Sequence, residues 1–291
     1  MHKVWIEVAL NGAWNRRLQP LLPDTVEAIV AEGIACARAG ASIIHTHAFE
    51  DGTHTFDWQV YARIIEGIRA EVDVPVYPSY PAIPAAGMAP GERFAHVEAL
   101  AERGLIDFAV IDPGSVNFTM TTATATTKPA FTYLNPEAHV RYALDFAVRK
   151  GFHPAFAIYE PGFTRAGAAL ARAAGVKPPI YRFMFSDKFA FNFPPRPYAL
   201  AAHLALLEEE AGPAPWMIAG LAVDVRPLIG ETVARGGHVR VGLEDAPMGT
   251  TMSNLAWVED AVRLVRAAGG EPATVAEMRA ALASSTNKPP P

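Results

Sequence analysis

Two short runs of this chain carry residue types that could do chemistry at a spacing that lets them act together. The first is Ile43-Ile44-His45-Thr46-His47. Residues two apart on an extended strand share a face, so both imidazoles can point the same way. The second is His238-Val239-Arg240-Val241-Gly242-Leu243-Glu244-Asp245. Strand alternation puts Arg240, Gly242 and Glu244 on one face and Val239, Val241 and Leu243 on the other. A carboxylate and a guanidinium facing an apolar interior are costly unless they are paired or bound to a metal. Two histidines and one carboxylate leave a coordination position open, which is the donor set of a catalytic zinc site. His45, His47 and Glu244 are therefore the expected metal ligands. The plainer alternative is a structural Arg–Glu pair with two histidines in separate hydrogen-bonding roles.

Positioning such residues from distant parts of the chain requires a scaffold, and the rest of the sequence describes one. Strand-like runs fall at 3–10, 41–47, 74–79, 106–112, 152–159, 180–185, 216–220 and 238–243. Between them are amphipathic stretches: one after Pro23-Asp24, with Asp24 as the expected N-cap, and one at 57–70. Others begin near Pro90, Asn135, Gly162, Pro197, Arg226 and Ser253. Eight consecutive βα units in 291 residues predict an α/β fold, a single (β/α)8 TIM-barrel domain over 1–291. A short helix at 275–283 and a flexible Pro-rich tail at 288–291 are expected to follow. Barrel enzymes place their working groups at the C-terminal ends of the strands. That directs attention to Asn11 and Trp14 after the first strand, Ser79 ending the third, Asp112 and Ser115 at the fourth, and Glu160 at the fifth. Each alone reads more readily as ordinary turn chemistry than as catalysis. The remaining histidines, His54 among them, read as surface or structural. Two connections, 119–134 and 186–197, are long enough to be lids, interface pieces or packed surface.

Composition bounds the partners. Half the residues are apolar, about a fifth are charged and the formal net charge is −5. Scattered Lys and Arg argue against nucleic acid or an anionic membrane as partner. The sole cysteine, Cys36, excludes a disulfide framework within the chain and reads as a small buried residue. With no leader-like start and no apolar run of the ~20 residues a bilayer span needs, the cytoplasm is the expected compartment.

Several segments resemble the β-keto acid cleavage enzyme family. They are Asn11-Gly12-Ala13, Ala39 through His47, Asp51-Gly52, Gly114-Ser115-Val116-Asn117-Phe118 and Gly237 through Asp245, in the same order over nearly the whole chain. The resemblance implies a zinc-dependent barrel, usually tetrameric. It condenses a β-keto acid with acetyl-CoA and releases acetoacetate and a new CoA ester. It also implies that His45, His47 and Glu244 bind one Zn2+ per subunit, that Asp245 is the general acid/base aided by Arg240, and that Ser79 hydrogen-bonds substrate. Departures from the family pattern bear on the substrate. Trp14 stands where members that cleave an amino-substituted keto acid have an acidic residue, so an apolar or quaternary ammonium tail is expected instead of a primary amine. Phe49-Glu50 replaces an Arg-Asp pair, Ala157 replaces an acidic residue whose role Glu160 is close enough to assume, and the Phe-rich 186–193 replaces a Gly-rich segment. Two other readings stay open on the sequence: a metal-dependent hydrolase or lyase on the same barrel, and a non-catalytic protein that binds a small acid.

Overall fold

All eight predicted strands form, and every residue of each is buried: β1 (Ile6–Ala9), β2 (Ile43–Thr46), β3 (Val76–Pro78), β4 (Phe108–Val110), β5 (His153–Ile158), β6 (Ile180–Phe185), β7 (Trp216–Gly220) and β8 (His238–Val241). A strand covered on both faces reads as an almost continuous apolar run, which is how these segments read. In the computed structural model, which describes residues 1–121 and 131–285, they lie parallel in one sheet in the order β3-β2-β1-β8-β7-β6-β5-β4. The two end strands, β3 and β4, pack side by side without a backbone ladder between them, so the sheet curls into a nearly closed barrel with one seam.

Helices α1 (Val26–Arg38), α2 (Trp58–Arg69), α3 (Pro90–Glu102), α4 (Glu137–Lys150), α5 (Pro161–Ala174), α6 (Pro197–Ala211), α7 (Ile229–Ala234) and α8 (Asn254–Ala267) alternate with the strands. Their starts follow local chemistry. Thr25, one residue beyond the expected Asp24, caps α1 by accepting from the Ala28 N–H, while Asp24 pairs with Arg16 at 2.9 Å. Asp57, expected as the first residue of α2, is its N-cap and accepts from the Gln59 N–H. Helix α4 begins two residues later than expected because Asn135 is committed elsewhere, its amide donating to the Gly114 carbonyl. The helix expected from Arg226 starts as a single 3-10 turn and leaves α7 only six residues.

At the N-terminal end of the strands, Lys3–Val4 leaves the barrel and pairs with Glu271–Pro272, which splits the predicted first strand. Helix α9 (Val275–Ser284), capped by Thr274 and Glu277, is tied there by the Arg279–Asp73 and Lys3–Glu277 ion pairs. At the opposite end, Ala48–Glu50 and Thr53–Thr55 form a hairpin directly after β2, and Val116–Asn117 pairs with Thr132–Tyr133. The two long connections meet: Met120 bridges to Phe189, and the Ala190 N–H donates to the Thr119 carbonyl. Part of the first, 122–130, and the expected flexible tail at 288–291 lie outside the described residues. Among the described residues no helix is long and apolar enough to cross a membrane.

Candidate active site

The C-terminal mouth of the barrel holds a cavity of about 540 Å³, and the two runs singled out in the sequence converge in it. His45 and His47 come from the end of β2. The His47 backbone is held by Asn11, whose side-chain oxygen accepts the His47 N–H at 2.9 Å and whose amide donates to the His47 carbonyl at 3.1 Å. Glu244 arrives by a turn and not by strand continuation. Gly242 has φ +131°, and a Cβ there would lie 2.2 Å from the Ala9 carbonyl oxygen, so only glycine lets the chain leave β8 at this point. The Asp245 and Ala246 N–H groups then donate back to the Gly242 carbonyl. Strict alternation would have sent Asp245 away from Glu244; the turn delivers both carboxylates to the cavity beside Arg240. Gly12 gives Glu244 its room, since a Cβ there would meet Glu244 Cγ at 2.6 Å.

Glu244 faces both imidazoles, with Oε2 3.3 Å from His45 Nε2 and Oε1 3.6 Å from His47 Nε2. Donor atoms of the three residues lie within 4.8 Å of one another. Glu244 Oε2 and His45 Nδ1 are buried with no hydrogen-bond partner. Oε2 has an ion-pair contact with Arg240 at 3.3 Å, but Arg240 spends its hydrogen bonds on Asp245 and Glu7, so a second cation would still be favourable at Glu244. Burial opposes the charge on Glu244, yet His45 and Arg240 beside it hold its carboxyl well below the usual range. Burial also pushes the His45 imidazole well below its ordinary value, towards the neutral form a metal ligand needs.

A charged layer lies beneath this cluster. Arg240 grips Asp245 through two 2.8 Å bonds and donates from its third arm to Glu7 at 2.9 Å. Glu7 also accepts from the Tyr77 hydroxyl at 2.6 Å and lies 3.6 Å from Arg182. Register explains the assembly, because Glu7 sits directly beside Arg240 across the β1–β8 ladder. Burial raises the Asp245 carboxyl to about 6 against the pull of Arg240. Asp112 completes the set. Its carboxylate accepts from the Ala157 N–H at 2.8 Å and from the Tyr133 hydroxyl, and burial raises it too. The interior of the mouth thus holds the guanidiniums Arg182 and Arg240 against the carboxylates Glu7, Asp112, Glu244 and Asp245. Around the histidines, Glu244 and Asp245 share the one guanidinium of Arg240, a local negative excess that a divalent ion would offset. Together with the orphaned donor atoms, this shows that the residues present fit such an ion.

The other half of the cavity is apolar. Ala157, Met184, Ala219 and Leu221, from the ends of β5, β6 and β7, cluster with Trp14, Phe118, Tyr159, Phe189 and Phe191. Phe118 packs edge-on against Phe189 and Phe191 at 5.1 and 5.0 Å, so these three rings roof this half.

Of the residues predicted from strand ends, Trp14, Ser79 and Asp112 line the cavity with the His45, His47, Glu244, Arg240 and Asp245 cluster. Trp14 does so with its indole N–H donated to the Glu244 carbonyl at 2.8 Å. Three do not line it. Asn11 is fully buried behind His47 and serves the strand. The Ser115 hydroxyl accepts from the Asn135 N–H at 2.8 Å. Glu160 sits at the N-cap of α5, its carboxylate folded back over Gly162. Glu7, Arg182, Tyr77, Tyr133 and His54 were not anticipated. A lone acid in β1 and a lone arginine in β6, each within an apolar run, were the available signal for the first two. Nothing in the sequence marked His54, which reaches the site through the hairpin after β2, its Nε2 3.0 Å from His47 Nδ1.

Known proteins are similar to this chain in sequence and in fold. The family model described as beta-keto acid cleavage enzyme matches residues 3–283. The chain is 30% identical over 287 residues to the 3-keto-5-aminohexanoate cleavage enzyme of Fusobacterium nucleatum, covering 96% of this chain and 97% of that one. It is 28% identical over 284 residues to the 3-oxoadipate:acetyl-CoA acetyltransferase of Cupriavidus necator, covering 95% and 93%. Among solved structures, ObcA in a ternary complex with a C4-CoA adduct and oxalate superposes with a TM-score of 0.68 at 16% identity. The match covers 91% of this chain and 68% of that one, a likeness of fold.

Proposed function

The chain belongs to the beta-keto acid cleavage enzyme family, and from that premise we propose that it condenses a β-keto acid with acetyl-CoA to give acetoacetate and a new acyl-CoA. In the balanced exchange, the methylene carbon of the keto acid bonds to the acetyl carbon. Its bond to the original keto carbon breaks, and that acyl group takes the CoA sulfur. The observation that carries the reading is the convergence of His45, His47 and Glu244 within 4.8 Å, beside the Arg240–Asp245 pair, in one cavity of a chain from this family. A divalent ion held by those three residues, zinc in our reading, would supply Lewis acidity towards the keto oxygen.

The protein's own groups do the rest. Asp245 takes the proton from the methylene carbon and returns it, and Arg240 fixes the direction from which its carboxylate acts. Ser79 and Asp112 border the bound acid, and Trp14 closes the wall over Glu244. Glu160 has no part in this scheme, since it lies outside the cavity. The substrate tail is apolar or a quaternary ammonium and not a primary amine. Support comes from the ring-lined half of the cavity and from Asp112 at its edge, whose carboxylate is already bound by Tyr133 and the Ala157 N–H. The reading includes a cytoplasmic homotetramer, to be checked by light scattering.

The test is a panel of β-keto acids incubated with acetyl-CoA and metal-analysed protein, with mass spectrometry for acetoacetate and new CoA esters. Glu244→Gln should lose bound metal; Asp245→Asn should keep it and lose turnover. A protein that retains both metal and product in both variants would show the site to be misassigned.

A further inference from the structure

The two histidines of the cluster are supported unequally. His45 Nδ1 is buried without a partner, whereas His47 Nδ1 lies 3.0 Å from the Nε2 of His54. His47 presents its other nitrogen, Nε2, to Glu244. An imidazole that binds a cation through Nε2 carries its proton on Nδ1, and that proton needs an acceptor to fix the ring and its tautomer. The neutral imidazole of His54 has one ring nitrogen with a free lone pair, and Nε2, 3.0 Å from His47 Nδ1, is placed to be that acceptor.

The hairpin that follows β2 is what makes this contact possible. Phe49 pairs with His54 across its antiparallel ladder, and the chain folds back within seven residues of His47. The His54 ring is wedged between Phe49, at 5.2 Å, and Phe56, at 4.7 Å, both edge-on. Such packing holds the ring plane while leaving its nitrogens to face along the pocket wall.

We propose that His54 is a positioning residue for the metal centre: its Nε2 accepts the Nδ1–H of His47 and locks His47 with Nε2 aimed at the ion. The proposal rests on the metal reading above and adds a fourth side chain to it, one that acts on the ion through His47. It also assigns the hairpin a task, since Ala48–Glu50 and Thr53–Thr55 exist as a ladder that returns His54 to the end of β2.

Three variants separate hydrogen bonding from packing. His54→Phe keeps a flat ring between Phe49 and Phe56 and removes the acceptor. His54→Gln keeps an acceptor oxygen and loses the ring. His54→Ala removes both. Zinc affinity is measured by competition with a chromophoric chelator, and the visible spectrum of the cobalt-loaded protein is recorded alongside. Positioning predicts that His54→Phe and His54→Ala weaken zinc binding roughly 10- to 100-fold and alter the cobalt spectrum, while His54→Gln stays within a few-fold of wild type. Wild-type affinity in His54→Phe, or a loss in His54→Gln as large as in His54→Ala, would overturn the proposal and leave the ring as packing. A wild-type protein that binds no divalent ion would instead overturn the metal reading itself. Urea unfolding of the metal-free proteins checks that the affinities compare folded chains.

Discussion

Glu7 is the residue on which the charged interior depends most, and Glu7→Gln tests that directly. The carboxylate is buried, accepts from Arg240 at 2.9 Å and from Tyr77 at 2.6 Å, and lies 3.6 Å from Arg182. Glutamine preserves shape, and its oxygen, placed where Oε1 is, can still accept from both Tyr77 and Arg240, but it removes the negative charge between two guanidiniums. With charge centres about 4 Å apart and an effective dielectric near 20, the lost attraction to Arg240 alone is about 4 kcal/mol. Removing one member of a buried pair costs about 3–5 kcal/mol in general, so the two estimates agree. For a chain of this size that corresponds to a melting temperature lower by roughly 10 °C. Urea denaturation followed by tryptophan fluorescence gives the free energy, and calorimetry gives the temperature. The companion Arg182→Met isolates the cause: if like charges are what destabilises Glu7→Gln, the double variant should be more stable than the summed single effects by about 1–3 kcal/mol. A Glu7→Gln protein within about 1 kcal/mol of wild type, or strict additivity in the cycle, would refute the argument.

Three further outcomes are expected. Gly12→Ala combines a left-handed backbone, φ +67°, with a Cβ 2.6 Å from Glu244 Cγ, whereas Gly104→Ala has φ +68° and open space. Both should lose about 1–2 kcal/mol of stability, but only Gly12→Ala should lower zinc affinity, by roughly tenfold or more; equal affinities in chelator competition would show that Glu244 tolerates the intrusion. Burial lowers His203 to about 4, and its ring stacks on Phe183 with both nitrogens unpartnered. In the unfolded chain the same ring takes up a proton near pH 6.5. Stability is therefore lost as pH falls from 6.5 towards 4, by on the order of 3 kcal/mol from this residue, and His203→Phe should flatten that limb in unfolding curves measured at each pH. Adding zinc to chelator-stripped protein at about 100 times its dissociation constant should stabilise it by about 2.7 kcal/mol; a melting curve that ignores the ion would argue against binding to the folded state.

The sequence was most informative where chemistry coincides with a strand end. His45, His47, Arg240 and Glu244 could be placed because alternation and barrel topology fix which face and which end a side chain occupies. The boundaries were less legible. Thr25 caps α1 in place of Asp24 because it is Thr25 whose hydroxyl reaches the Ala28 N–H. Asp245 could be assigned only through family resemblance, since its arrival in the cavity depends on a turn at Gly242 that period-two reasoning does not contain. Asn11 and Ser115 look like site residues in one dimension, but their polar atoms are spent on the backbone of His47 and of Asn135. Glu7 and Arg182 escaped for the converse reason. They lie in mid-strand, below the level where substrate-binding groups are sought, and only the tertiary register shows that they meet.

The seam between β3 and β4 has a consequence for how the mouth breathes. Where backbone bonds are missing, side chains clasp the gap: the Tyr133 hydroxyl donates to Asp112 beyond β4 and lies 2.8 Å from the hydroxyl of Tyr80 beyond β3, and Tyr80 and Arg93 share the Asn135 oxygen. A ladder zips cooperatively, but a clasp can open by itself. Solvent deuterium should therefore enter the barrel first at β3 and β4, ahead of the fully laddered β6 and β7. The same opening would loosen Ser79 and Asp112 while the metal ligands on β2 and after β8 stay fixed, so the wall of the cavity that meets the substrate is its most compliant part.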